Sequence, residues 1–274
     1  MSALVKRSGI ALVLRGAAAV GFFFLLAPLL VIIPLSFNAE PYFTITEGML
    51  KLDPDAYSLR WYRELLDKTW TRALSNSLVF GIFATLIAPV LGTMAAVALN
   101  NPGAPFKRAI TALLISPMIT PIVVVAVGMF FFYSQIGLAQ THLGLILAHA
   151  ALGAPFVVIT VNATLAGFDA SLSRAAASLG ATPWTVFRRV KLPLIAPGVI
   201  SGGLFAFATS FDEVVVVLFM GGLEQRTIPR QMWAGIREQI SPTILAVATL
   251  LILFALIVMA TVEWLRLRSS ASKA

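Results

Sequence analysis

Residues 171–198 read SLSRAAASLGATPWTVFRRVKLPLIAPG, a basic stretch punctuated by Gly and Pro between two long apolar runs. It predicts a short helix from Leu172 to Leu179, a break at Gly180, and a second turn opening at Thr182-Pro183. Thr182 suits the N-cap because its oxygen can take up an orphan amide, and Pro183 suits the first helical position because it has no amide to lose. Leu192-Pro193 is expected to close this turn just before the chain becomes apolar again. Two surface helices of this kind, bearing Arg188, Arg189 and Lys191, would lie against a membrane and offer a docking knob to another protein.

The remainder of the chain says what that knob would serve. The 274 residues are 59% hydrophobic and 12% charged, too apolar for a soluble domain of this size. A bilayer core asks for about 20 apolar residues per helix. Six runs reach that length: 17–37, 73–99, 109–132, 143–166, 194–220 and 242–265. The expected fold class is therefore an all-α membrane protein with six transmembrane helices. It is read as one domain over 17–265, containing the loop 167–193, with an N-terminus at 1–16 and a tail at 266–274. The first run follows Lys6, Arg7 and Arg15, as in a signal peptide. It is too long for that role and no small-x-small cleavage site closes it, so a retained span is expected. Without Cys, the chain has no disulfide and no Cys-ligated metal.

Charge placement orients the spans. On alternating sides, one side carries Lys6, Arg7, Arg15, Lys107, Arg108, Arg174, Arg188, Arg189, Lys191, Arg266, Arg268 and Lys273, opposed only by Asp169 and Glu263. The other side balances Lys51, Arg60, Arg63, Lys68, Arg72, Arg226, Arg230 and Arg237 against as many acids. The positive-inside rule puts both termini and the 167–193 loop in the cytoplasm. The net charge of +8 follows from this topology. It does not indicate nucleic acid, since the aromatics sit in apolar spans and not among the cations.

Several residues stand out against this background. Pro117 and Pro121 in span three free backbone carbonyls, so a kinked, bundle-facing helix is expected. Gly198 and Gly202 form a small-xxx-small pair for close helix packing. In the long external loop, the segment from Tyr57 to Tyr62 reads as a short helix, either an interfacial anchor or a docking surface. Asp212 and Glu213 lie within the fifth run, ~27 Å of helix beyond Leu194. A charge at that depth costs about 2.5 kcal/mol or more, so it faces either a partner or an aqueous path. No basic residue lies deep in any span to neutralise the pair, which favours an amine-bearing solute. Asn162, Thr160, Thr164 and Asn76 suit bonds between helices, with solute contact the alternative for Asn162. His142 and His149 lack a carboxylate at ligand spacing and are read as interfacial or packing residues. No nucleophile sits beside a base and no GxxxxGK[ST] occurs, so neither catalysis nor nucleotide binding is expected of this chain.

The loop spacing resembles the EAA loop of membrane permeases in ATP-binding-cassette importers. The pattern of Glu-Ala-Ala, three residues, Gly, nine residues, Ile, one residue and Leu-Pro is met by Arg174-Ala175-Ala176, Gly180, Val190 and Leu192-Pro193. Arg174 replaces the Glu and inverts its charge. Four further segments resemble spermidine/putrescine-type permeases. They are Leu74-Ser75-Asn76-Ser77-Leu78, Pro155-Phe156-Val157-Val158, Ser210-Phe211-Asp212-Glu213, and Ser241-Pro242 with Ala246-Val247-Ala248-Thr249-Leu250. Of these, the Asp212-Glu213 segment resembles the second permease of that group in particular.

The resemblance implies a type I permease bundle in the bacterial inner membrane, with a cytoplasmic coupling helix and no catalysis of its own. Its implied partners are an ATPase dimer that carries the ATP and Mg, a second and non-identical permease, a periplasmic solute-binding protein and a small cationic substrate. Arg174, Ala175, Ala176, Gly180, Pro183, Val190, Leu192 and Pro193 would couple to the ATPase. Phe211, Asp212, Glu213 and Asn162 would line the substrate pathway. Rival readings keep the scaffold but carry an opine, an aminophosphonate or another small polar solute. A self-sufficient secondary transporter or channel is the rival from another class; the absence of visible inverted repeats weighs against it.

Overall fold

A computed structural model describes residues 2–101, 103–238 and 241–271, with side chains from 13 to 257 (apart from 102 and 238–240) and at 260. The terminal charges Lys6, Arg7, Glu263, Arg266, Arg268 and Lys273 fall outside the described side chains, and the tail 266–274 runs past the described residues.

The helices in chain order are α1 (Ser2–Leu35), α2 (Glu47–Leu50), α3 (Arg60–Glu64), α4 (Lys68–Leu99), α5 (Lys107–Ile119), α6 (Ile122–Gln135) and α7 (His142–Ala166). After these come α8 (Ala170–Ser178), α9 (Pro183–Val186), α10 (Leu192–Asp212), α11 (Val215–Met220), α12 (Ile228–Glu238) and α13 (Thr243–Ala271). Among the described residues there is no strand, only an isolated bridge between Asn38 and Tyr57.

Four helical stretches are long and apolar enough to cross a bilayer: Val13–Leu35, Lys68–Leu99, His142–Ala166 and Pro183–Asp212. The pair α5 and α6 makes a fifth if it is taken as one broken span, being bent by 107°. Of α13, the apolar stretch over described side chains is Thr243–Ile257, short of spanning length. The expected count of six is thus met in part.

Span three is broken, not merely kinked. Thr120 is extended (φ −72°, ψ 139°) because the ring of Pro121 crowds a helical neighbour before it. Pro117, inside α5, leaves its helix intact. Both halves face the bundle: α6 buries Ala126 and packs Met129 and Phe130 on the core, while α5 lies against α7 without burying any residue fully.

Contacts divide the chain into two compact units, Met1–Lys68 with Ala234–Ala274, and Thr69–Trp233. In the first, α1 packs on α13 and α13 on α3, and the long loop is fastened by its own aromatics. Trp61 is 4% exposed and donates its indole N–H to the Asn38 carbonyl at 2.6 Å. Tyr62 shares a hydroxyl hydrogen bond with Ser36 at 2.6 Å, and Tyr57 donates to the Met49 carbonyl. The helix here is only Arg60–Glu64. Trp61 is therefore no headgroup anchor: a buried indole needs a hydrogen-bond acceptor, and the loop supplies one.

In the second unit α7 is the central helix, with twelve buried residues from Gly144 to Leu165. Helix α10 lies along it through its glycines. A Cβ on Gly202 would sit 2.5 Å from Thr160 Oγ1 and 2.6 Å from Val157 Cα; one on Gly198 would overlap Thr164 Oγ1. The small-xxx-small pair thus packs helix on helix, as its spacing suggests. Gly153 of α7 meets Ala206 of α10 in the same way.

Candidate functional site

Two places in the second unit carry the residues that stand out in the sequence. The first is the loop between α7 and α10. Asp169 caps α8, its Oδ1 accepting from the Ser171 amide at 2.8 Å and its Oδ2 from the Ser171 hydroxyl. These two bonds, with a smaller contribution from Arg174, hold the Asp169 carboxyl below the usual carboxylate range. The helix stops at Gly180, whose φ of +82° is a left-handed conformation that costs a residue with a Cβ about 1–2 kcal/mol. Thr182 Oγ1 accepts from the Thr185 amide and Pro183 takes the first turn of α9, as the sequence predicts.

The end of α9 departs from expectation. Leu192-Pro193 does not close the second helix. A π-helical turn, Phe187–Lys191, joins α9 to α10, so Pro183–Asp212 is one run of 30 residues. Proline at 193 donates no amide and crowds the carbonyl four residues earlier. The wider turn before it, with the Leu192 N–H reaching back to the Phe187 carbonyl, opens the backbone where that strain falls.

The residues expected to couple are brought together on this loop. Arg174, Ala175, Gly180, Pro183 and Pro193 are exposed, while Ala176, Val190 and Leu192 are half-buried. Sequence reasoning missed the two most prominent side chains, Leu179 at 89% and Trp184 at 66% exposure. They flank the Gly180 turn, and the indole of Trp184 lies 5.6 Å from the ring of Phe187. A large apolar residue on each side of a glycine, within an otherwise polar loop, was the available signal. A pocket of about 550 Å³ in the same loop is lined by Val97, Ser173, Ala177, Val186, Phe187 and Lys191, among others.

The second place is the Asp212-Glu213 pair. The expected continuous span 194–220 is interrupted here: α10 ends at Asp212, Glu213 is extended (φ −72°, ψ 120°), and α11 restarts at Val215. Glu213 Oε1 accepts from the Val216 amide at 2.8 Å, so this carboxylate satisfies one orphan donor of the new helix. Asp212 is exposed and makes no ion pair among the described residues. Phe211 stacks on Phe207, with ring centroids 5.8 Å apart.

One residue before Phe211, Ser210 Oγ lies 2.7 Å from Nδ1 of the fully buried His149, which ties α10 to α7 beside the break. His149 is thus a packing residue. His142 meets Asn76 Oδ1 at 3.3 Å, and the Asn76 amide donates to the Glu224 and Arg226 carbonyls. Asn76 therefore bonds between elements as expected. Among the described residues, Thr160 and Thr164 bond only to carbonyls of their own helix. Asn162 is half-buried on α7, away from the break, and makes no hydrogen bond among the described residues.

These features describe a helical membrane protein with an exposed, doubly capped loop and a carboxylate-bearing helix break. The chain belongs to the family of binding-protein-dependent transport system inner membrane components, which matches residues 88–270. It is 30% identical to the spermidine/putrescine transport system permease protein PotC of Haemophilus influenzae, over 85% of this chain and 88% of that one. It is 33% identical to the putrescine transport system permease protein PotI of Escherichia coli, over 85% and 83%. The trehalose transport system permease protein SugB of Mycobacterium tuberculosis is 32% identical over 67% and 66%.

Among solved structures, a bacterial ABC transporter involved in the import of alginate superposes with a TM-score of 0.73 at 19% identity, over 94% of this chain and 97% of that one. The alginate transporter in complex with its alginate-bound periplasmic protein gives 0.70 at 16%, over 94% and 93%. The fold is that of an importer permease, and the resemblance read from the loop spacing and the apolar segments is borne out.

Proposed function

We propose that this chain is the second permease of a polyamine importer, passing spermidine- or putrescine-like cations received from a periplasmic binding protein. The likeness to PotC and PotI over 85% of the chain carries this reading. In it the polypeptide crosses the membrane six times, with α5 and α6 as one broken span and α13 as the last, and both termini are cytoplasmic. The loop 167–193 sits in a groove of a partner ATPase, which binds the ATP and Mg. Closure of the ATPase pair on nucleotide displaces the loop, and the helices rock between two packed arrangements. A second, non-identical permease completes the path.

Within that path Asp212 is the residue assigned to the cation. It is exposed and in no ion pair among the described residues, and at membrane depth an uncompensated charge is costly and a passing ammonium would offset it. Glu213 belongs to the architecture of the break, since one of its oxygens caps α11. Phe211 supports the break from the α10 side. Nothing in the geometry draws Asn162 to that position, and its contact with solute stays a proposal.

The test is uptake of radiolabelled putrescine by the assembled importer in proteoliposomes. Asp212→Asn is expected to raise KM for uptake at least about tenfold, the scale of losing a charge-assisted contact. Unchanged putrescine uptake by this variant would remove Asp212 from the path. Binding of trehalose but not putrescine by the cognate periplasmic receptor would overturn the choice of cargo.

A further inference from the structure

The surface offered by the loop has a chemistry that specifies what must face it. Between Asp169 and Pro193 the chain carries Arg174, Arg188, Arg189 and Lys191 against the single carboxylate of Asp169. That carboxylate already accepts both donors of Ser171. Arg174, Arg188 and Arg189 are exposed, and none of them is in an ion pair among the described residues. Beside these cations stand the two exposed apolar side chains on either side of Gly180, Leu179 and Trp184. Apolar side chains this large, held by a capped turn, are not explained by the fold: among the described residues both stay largely uncovered, with only the ring of Phe187 beside Trp184. Exposed guanidinium groups and large exposed apolar side chains on one short loop are the composition of an interface with a desolvated centre and a charged rim.

We propose that the ATPase groove receiving this loop is acid-rimmed, with a carboxylate facing Arg174 and an apolar floor for Leu179 and Trp184. This rests on the coupling reading under the proposed function and adds the chemistry of the partner. Guanidinium is suited to the rim because its planar fork pairs with a carboxylate through two parallel hydrogen bonds. The apolar pair supplies the affinity, and the arginines set orientation and partner choice. An ATPase whose groove is basic at that position would be rejected by like-charge repulsion, so the inverted residue at 174 makes the pairing exclusive.

The experiment uses the full importer in nanodiscs and the ATPase that co-purifies with this permease from native membranes. That ATPase is stripped and titrated back at two salt concentrations. Arg174→Glu is expected to weaken rebinding at least about tenfold at low salt and to flatten its salt dependence, while Arg174→Lys, which keeps the charge but not the fork, keeps the salt dependence and loses part of the affinity. Leu179→Asp with Trp184→Asp is expected to abolish rebinding at either salt. Equal affinity and equal salt dependence for wild type and Arg174→Glu would overturn the acid rim while leaving the coupling reading intact. Normal rebinding of the Leu179/Trp184 double variant would overturn the apolar floor, and the absence of any co-purifying ATPase would sink the coupling reading itself. Arg174 is exposed and uninvolved in packing, so the thermal midpoint of its variants is expected to match wild type, which separates lost docking from lost folding.

Discussion

The middle of α10 and its two ends are built on opposite principles. In the middle, Gly198 and Gly202 let the helix sit against α7 at backbone contact distance, with Thr160 and Val157 in the space a side chain would need. At the start a π turn replaces regular helix, and at the finish the helix breaks at Glu213. Close packing fixes relative position because interiors have no slack to absorb displacement. An irregular turn leaves local geometry adjustable. The contrast teaches that α10 is held against α7 from Gly198 to Ser210 and carries its backbone irregularities just outside that stretch, where the loop and the exposed carboxylate lie.

The largest expected effect is at the contact with α7. Gly202→Leu forces a side chain into the Val157 backbone, which cannot move aside, and is expected to cost about 3 kcal/mol or more. Gly128→Leu, with open space around its Cα, is expected to leave the thermal midpoint in detergent unchanged. If the two variants melted alike, the close contact would not exist.

A smaller effect is expected at the first tip. Gly180→Ala meets no neighbour but must adopt a φ near +82°, for about 1–2 kcal/mol of local strain. ATP-driven uptake is expected to fall several-fold while the folded yield holds. An uptake rate equal to wild type would mean the turn geometry does not matter to function.

At the second tip, Glu213→Ala removes the acceptor for the Val216 amide and is expected to lower stability by about 1 kcal/mol. Glu213→Gln keeps a carbonyl oxygen there and should recover most of the loss. If both variants lowered uptake equally at unchanged stability, the carboxylate charge and not the cap would be its contribution.

The smallest effect concerns pH. The Asp169 carboxyl is held below its ordinary value in the folded protein, so its stabilisation of α8 is fully present above the ordinary carboxylate range. That contribution is lost as pH falls through the lowered value. Amide exchange at Ser171, corrected for intrinsic rates, is expected to accelerate on acidification in wild type and to be insensitive to it in Asp169→Asn.

How much of this could be read in the chain depends on whether the signal was local. The capped turn at Thr182-Pro183 and the stop at Gly180 were readable because each follows from the stereochemistry of one or two residues. The glycine contact of α10 was readable from a four-residue spacing. The helix breaks divide instructively. Pro117, Pro155 and Pro197 all lie inside helices that continue, and only Pro121 ends one. Proline content alone therefore marks too many places. The break at Glu213 has no proline at all and comes from a side-chain acceptor that starts a new helix, which hydropathy cannot register. Trp61 looked like a membrane-surface residue because its acceptor, the Asn38 carbonyl, lies 23 residues away in sequence. The exposed pair Leu179 and Trp184 occupies no fixed position of the spacing pattern, whose small residues on this loop are Ala175, Ala176 and Gly180.

The absence of any loop between Pro183 and Asp212 has a mechanical consequence. Thirty helical residues at 1.5 Å each make a strut of about 45 Å, comparable to the full thickness of a bilayer with its headgroups. Fastened to α7 from Gly198 to Ser210, such a strut would carry a push at the loop end to the Asp212 end together with α7, as one body, with no intervening loop to absorb it.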